Sequence, residues 1–164
     1  MKSLSNSICI ALLATLCYLA LTQAAELKVF TCKNVKGSST IKKLEIPGCD
    51  TYPCVLKRGS NSSINVQFNS KTRINELKLK ITGMLNNKEV PFMTIDGDHC
   101  QNTIQELIKE KSDKCLIKRN QLYSYSYALP VKAEYPTVSV VVKFNLMFGT
   151  KSVFCFTFPA KIEN

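Results

Sequence analysis

The sequence predicts an all-β sandwich of two antiparallel sheets. Three observations point there: apolar residues recur at every second place through much of the chain, short polar turn clusters interrupt them, and an even set of cysteines follows an apolar leader. A closed barrel fits the same alternation and stays open as the alternative.

The leader comes first. "MKSLSNS" supplies one positive charge, "ICIALLATLCYLALT" is a continuous apolar run, and "QAAE" brings small residues and then a charge. That is the layout of a secretory signal peptide over residues 1–24, cut after Ala24 or Ala25. The run falls short of the ~20 residues a membrane-spanning helix needs. Residues 25–164 then have the length of one domain with a real core. The expected destination is the extracellular space or the lysosome.

Within the domain, "SINVQF" puts Ile64, Val66 and Phe68 on one face, and "ELKLKI" sets Leu77, Leu79 and Ile81 opposite Lys78 and Lys80. In "YALPVKAEYP", Leu129, Val131, Ala133 and Tyr135 share one face, while Lys132 and Glu134 share the other. Its two prolines predict an edge or bulged strand, with an apolar face that something must cover. "TVSVVVKFNLMF" aligns Val138, Val140, Val142, Phe144, Leu146 and Phe148. "SVFCFTF" is apolar at nearly every place, as expected of a strand buried on both faces. "KRGSNSS", "DGDH" and "FGTK" read as turns. In "NTIQELIKEK", Ile104, Leu107 and Ile108 follow helical spacing and predict a short helix.

Cys32, Cys49, Cys54, Cys100, Cys115 and Cys155 remain after the leader, an even count that predicts disulfides. Local geometry favours Cys49–Cys54 across "CDTYPC" and Cys100–Cys115 across a loop; Cys32 and Cys155 then pair by elimination. Without a C-x-x-C spacing and with His99 the one histidine, no metal site is expected.

Losing Lys2 with the leader leaves 21 basic against 12 acidic side chains, net +9. A secreted chain with no basic helix is a poor nucleic-acid binder, so the charge points to solubility and to attraction for anionic membranes. An enzyme is not expected: no G-x-S-x-G occurs, His99 lies beside Cys100, and Asp96 and Asp98 suit turn chemistry better than a calcium loop. "NSS" makes Asn61 a glycosylation candidate. Aromatic residues crowd the strands, with no tryptophan among them.

The pattern "CKN…IPGCDTYPCVLKRGSNSSINVQF…VPF…DGDHC…C…YSYALPVKAEYPTVSVVVKFNL…FCFTFPAKI" resembles the ML lipid-recognition domains, nearest their Niemann–Pick C type 2 branch. The resemblance implies an immunoglobulin-like sandwich of seven or eight strands, the same three disulfides, and an apolar sterol pocket between the sheets. It implies that Phe92 of "VPF", with Val131 and Tyr135 of "LPVKAEYP", contacts the ligand. Secondary wall candidates are Ile64, Val66, Ile81, Tyr125, Pro130, Phe144 and Phe156. Two departures stand out: the Cys100–Cys115 loop is longer than in mammalian members, and Phe144 and Phe156 stand where those carry tryptophan. The smaller rings widen the expected ligand range.

The implied function is a monomeric carrier of a sterol or similar lipid, without cofactor, delivering to membranes or to a membrane sterol-transport protein. Alternatives are an immune recognition module for bacterial glycolipids, a carrier of fatty acids or hydrophobic semiochemicals, and a solid sandwich serving only as a protein-binding domain.

Overall fold

The computed structural model describes residues 29–86, 88–95, 99–105, 110–111 and 115–164. The leader, Asp96 and Asp98 lie outside them.

Two sheets face each other. In chain order the strands are β1 (Phe30–Thr31), β2 (Ser39–Glu45), β3 (Cys54–Lys57), β4 (Ser60–Ser70), β5 (Lys78–Leu85), β6 (Lys88–Ile95), β7 (Thr103–Gln105), β8 (Glu110–Lys111), β9 (Leu122–Val131), β10 (Ser139–Phe148) and β11 (Lys151–Glu163). The first sheet runs β1-β11-β10-β5-β6, with β3 also pairing β11; the second runs β2-β4-β9-β7-β8. Every ladder is antiparallel except β3 on β11, the one parallel pair among the described residues. The immunoglobulin-like sandwich is therefore present, with short extra strands beyond the expected seven or eight.

Alternation places the core where period 2 says it should be. Ile64, Val66 and Phe68 are buried, as are Leu77, Leu79 and Ile81, and so are Val140, Val142, Phe144 and Leu146. On β11, Phe154, Phe156 and Phe158 fill the inner face, while Val153 and Cys155 on the outer face are buried too. The outer cover there comes from the segment around β1: Cys32 is disulfide-bonded to Cys155, and a Cβ on Gly37 would come within 2.9 Å of the Val153 carbonyl. Cys49–Cys54 and Cys100–Cys115 form the other two disulfides.

Two expectations are corrected. Of the segment predicted as a short helix, residues 102–111, the described parts are strands: β7, which follows a 3-10 turn at Cys100–Asn102, pairs both with β9 and with β8. The edge of β9 offers unpaired backbone groups that a strand satisfies, and an isolated helix of that length is marginal in water. Leu107 and Ile108 lie outside the described residues. Second, the strand read through "YALPVKAEYP" stops at Val131. Lys132 to Tyr135 form a turn closed by the Tyr135 N–H donating to the Lys132 carbonyl at 3.2 Å, and Ala133 is exposed. Likewise "KRGSNSS" is a turn only at Arg58 and Gly59, because β4 begins at Ser60.

Candidate functional site

Three rows of inward side chains cross the first sheet. Register aligns Leu79, Leu146 and Phe154 in one row, Ile81, Phe144 and Phe156 in the next, and Gly83, Val142 and Phe158 in the third. On the facing sheet, Phe68 pairs with Tyr123, Val66 with Tyr125, Ile64 with Tyr127, Ser62 with Leu129 and Ser60 with Val131.

At the first two rows, rings meet across the sheets. Phe68 lies 5.2 Å from Phe154; Tyr125 lies 6.2 Å from both Phe144 and Phe154; Tyr127 lies 6.3 Å from Phe144. Edge-on and tilted pairs at these separations are favourable beyond the area they bury. From Phe156 onward the pattern changes. Phe156 stacks on Phe144 at 5.1 Å and Phe158 on Phe156 at 6.3 Å, all within one sheet. Among the described residues no ring from the facing sheet contacts Phe156 or Phe158, and the facing sheet's inward Ile64, Leu129 and Val131 are aliphatic and buried.

Phe92 and Tyr135 close this aliphatic end. The β5–β6 ladder pairs Ile81 with Met93 and Thr82 with Pro91, which leaves Phe92 as the extra residue of a bulge. A bulge re-aims its side chain, and Pro91 lacks the N–H a regular ladder would use. Gly83 makes room: a Cβ there would sit 2.9 Å from a Val140 methyl and 3.8 Å from the Phe92 ring. The Phe92 ring packs at 4.9 Å on Tyr135, whose hydroxyl donates to the Phe92 carbonyl at 2.9 Å. Both side chains are half-buried.

The Tyr135 turn is itself held. Arg58 donates from Nη1 to the Tyr135 carbonyl at 3.2 Å and from Nη2 to Asn164 Oδ1. The Arg58 backbone N–H donates to the Glu163 carbonyl at 2.8 Å and the Gly59 N–H to the Val131 carbonyl at 2.7 Å. The two-residue turn between β3 and β4 thus joins the end of one sheet to the end of the other.

Of the residues named from sequence, Phe92 and Tyr135 touch, and Val131 lies buried on the inner face beside Leu129. Ile64, Val66, Ile81, Tyr125, Phe144 and Phe156 all point inward and are buried. Pro130 does not belong with them: it alternates with Leu129 and Val131, so it occupies the outer face opposite Asn61, which is exposed. Sequence reasoning missed Arg58 and Gly83. An isolated glycine inside the strand pattern "KITGML" was the available signal for close approach by a neighbour.

Burial pushes the Tyr125 phenol far above its ordinary range, with Tyr127 adding to the effect, and raises Tyr127 as well. Both therefore remain neutral hydroxyls at physiological pH.

A sequence profile described as ML domain matches residues 26–162. The chain belongs to the ML domain family. Among curated relatives of this ML chain, the NPC intracellular cholesterol transporter 2 of Danio rerio is 34% identical over 150 residues, covering 91% of this chain and 93% of that protein. The Sus scrofa protein of the same name is 34% identical over 129 residues, covering 78% and 80% respectively. Among solved structures, a Niemann–Pick type C2 protein from the Japanese carpenter ant superposes with a TM-score of 0.69 at 19% identity, over 84% of this chain and 100% of that one. That likeness shows that the two share a fold. No helix among the described residues is long and apolar enough to cross a membrane.

Proposed function

We propose that this ML-domain chain carries a sterol, or an apolar lipid of similar size, between its two sheets and delivers it to a membrane or an accepting protein. One observation carries the reading: cross-sheet ring contacts pack one end of an apolar interior, while at the other the half-buried rings of Phe92 and Tyr135 meet beside aliphatic inward residues. The curated relatives named as cholesterol transporters support it. The lipid lies against Phe156, Phe158 and Val142 on one side and Ile64, Leu129 and Val131 on the other, with Phe92 and Tyr135 as the gate.

The energetics suit a carrier. A guest that buries about 500 Å² of apolar surface gains ~12 kcal/mol gross at about 25 cal/mol per Å². Immobilisation and imperfect desolvation return several kcal/mol, which leaves affinity near micromolar or tighter. These residues contribute shape and dryness and take no part in bond chemistry.

Delivery follows from charge. Arg58 bonds the Tyr135 carbonyl, and its chain neighbour Lys57 and the turn residue Lys132 are exposed, the latter in a solvent-facing pair with Glu134. An anionic bilayer attracts such a rim at roughly 1 kcal/mol per cation near the surface. The leader expected over residues 1–24 routes the chain to the extracellular space or lysosome, and Asn61, exposed next to the gate, is the proposed glycan site.

Titration with a fluorescent sterol, dehydroergosterol, tests the reading. The wild-type protein binds at micromolar concentration or below, and Phe92→Ala and Val131→Phe each weaken binding at least about tenfold, since a tenfold change is 1.4 kcal/mol. Unchanged affinity in both variants overturns the pocket.

A further inference from the structure

Lysines and arginines gather at the end of the sandwich opposite Phe92 and Tyr135. Lys36 precedes β2, Lys71 and Arg73 follow β4, Lys118 and Arg119 precede β9, and Lys151 opens β11. Backbone hydrogen bonds bring these segments side by side. The Ser38 N–H donates to the Ser152 carbonyl at 2.9 Å, and the Lys71 N–H to the Ser38 carbonyl at 2.9 Å. The Asn120 N–H donates to the Ser70 carbonyl, and Ile74 and Ile117 exchange a pair of bonds at 3.0 Å. All of these cations are exposed, and none makes an ion pair among the described residues. Glu76, the carboxylate nearest to them along these loops, is half-buried. At the other end the balance differs: Lys132 and Lys161 are paired with Glu134 and Glu163 at 3.5 and 2.6 Å.

Taken in bonding order, Lys151, Lys36, Lys71 and Arg119 form a row that crosses from the first sheet to the second, with Lys118 and Arg73 beside its last member. Hydrogen-bonded backbones lie about 4.8 Å apart, so the row runs roughly 15 Å. Like charges held this close repel one another unless an anion lies among them. The segments that carry the row, 36–38, 70–73, 118–121 and 151–152, hold no apolar side chain. A surface that docks on a bilayer brings apolar residues to insert beside its cations. A row of cations without them matches instead a linear polyanion, whose charges recur along one line and whose condensed counterions are released on binding. Arginine adds paired N–H bonds suited to the oxygens of a sulfate or phosphate group. For a chain with the leader expected over residues 1–24, the linear polyanions within reach are sulfated polysaccharides outside the cell.

We infer that this row binds a sulfated polysaccharide and tethers the chain by that end. The ten residues of β9 separate it from Val131, about 30 Å of strand, so a polymer held on the row leaves the Phe92–Tyr135 end uncovered. The inference stands apart from the carrier reading, because it uses other residues and another ligand.

Heparin is the probe, with binding followed by calorimetric titration at about 0.15 M salt and then across a salt series. The wild-type protein binds it. The triple variant Lys36→Gln, Lys71→Gln, Lys151→Gln weakens binding at least about tenfold, and the slope of log affinity against log salt falls by about one for each cation removed. A second triple variant, Lys42→Gln, Lys88→Gln, Lys161→Gln, removes the same charge from exposed sites elsewhere and changes affinity less than about twofold. The row variant keeps the wild-type melting temperature and dehydroergosterol affinity, since its three side chains are exposed and unpaired. Equal weakening by the two triple variants overturns the inference, because the attraction then belongs to net charge and not to the row. A wild type that ignores heparin at this salt overturns it as well. Loss of binding to phosphatidylglycerol vesicles in the row variant, with heparin binding kept, overturns it in favour of a membrane. Failure of the carrier reading is recorded separately, by dehydroergosterol alone.

Discussion

At one end of the sandwich, Phe68, Tyr125 and Tyr127 reach Phe154 and Phe144 across the sheets; Phe156 and Phe158, farther along β11, make no ring contact with the facing sheet among the described residues, and the inward Ile64, Leu129 and Val131 of that sheet are aliphatic. The backbone rule is the same at both ends, because facing sheets pack about 10 Å apart wherever they are. What differs is side-chain size. Two large rings close that distance, and the proposed lipid site lies where a branched aliphatic residue stands in place of one of them. Gly83 carries the contrast furthest, since the third row holds no side chain where the first two hold Leu79 and Ile81. The proposed carrier reading therefore assigns stability and ligand capacity to different ends of one core.

The comparison breaks most visibly through Phe154→Ala. This variant removes a ring that touches both sheets, and costs ~3–5 kcal/mol in chemical denaturation. If the loss is under ~1 kcal/mol, the ring-packed end is not the stabilising one. Phe92→Ala sits at the opposite pole: half-buried and on an edge strand, it costs only ~1 kcal/mol in stability while sterol affinity falls at least tenfold. Reversed magnitudes for these two variants would dissolve the division of labour.

Tyr135→Phe sharpens the contrast by deleting one hydrogen bond, to the Phe92 carbonyl, and keeping the ring. Expected are a stability loss of ~1 kcal/mol and a several-fold faster sterol release in stopped-flow measurements, with the association rate little changed. The smallest effect belongs to Glu89 at the start of β6. The Thr82 hydroxyl holds its carboxyl below the usual range; burial opposes this, and Lys143 and Lys80 add smaller lowering effects. A depressed carboxylate pKa stabilises the fold above the unfolded-state value and stops doing so as pH falls through the folded-state value. Glu89→Gln therefore costs about a few tenths of a kcal/mol at neutral pH, because the pair is partly solvated. The difference from wild type closes below the usual carboxylate range, as melting curves across pH would record.

Much of this was legible in the residues. The alternating runs put Ile64, Val66, Phe68, Leu79, Ile81, Val142 and Phe144 inside, and "SVFCFTF" announced a strand covered on both faces. The cysteine spacing gave the disulfides. What the sequence withheld depends on partners distant in the chain. Ile104 follows helical spacing, yet the free edge of β9 captures its segment as a strand. Ala133 and Tyr135 continue the alternation of Leu129 and Val131, but four residues of period 2 cannot tell a strand from the turn that follows it. Phe92 is inward only because a bulge turns it, and that bulge becomes visible only when β5 is in place beside it. Pro130 was grouped with the wall residues by proximity in sequence, although the parity of Leu129 and Val131 already set it outside.

The turn between β3 and β4 joins the two sheets through Arg58 and Gly59, and the positive φ of Gly59, 72°, gives that link a freedom few other residues have. It lies along the side where β3 borders β11, while β6 forms the opposite margin of the same sheet. Because Arg58 of the same turn also holds the Tyr135 carbonyl, and Tyr135 in turn holds Phe92 of β6, one continuous strap runs from the β3–β4 turn to the opposite margin of the sheet.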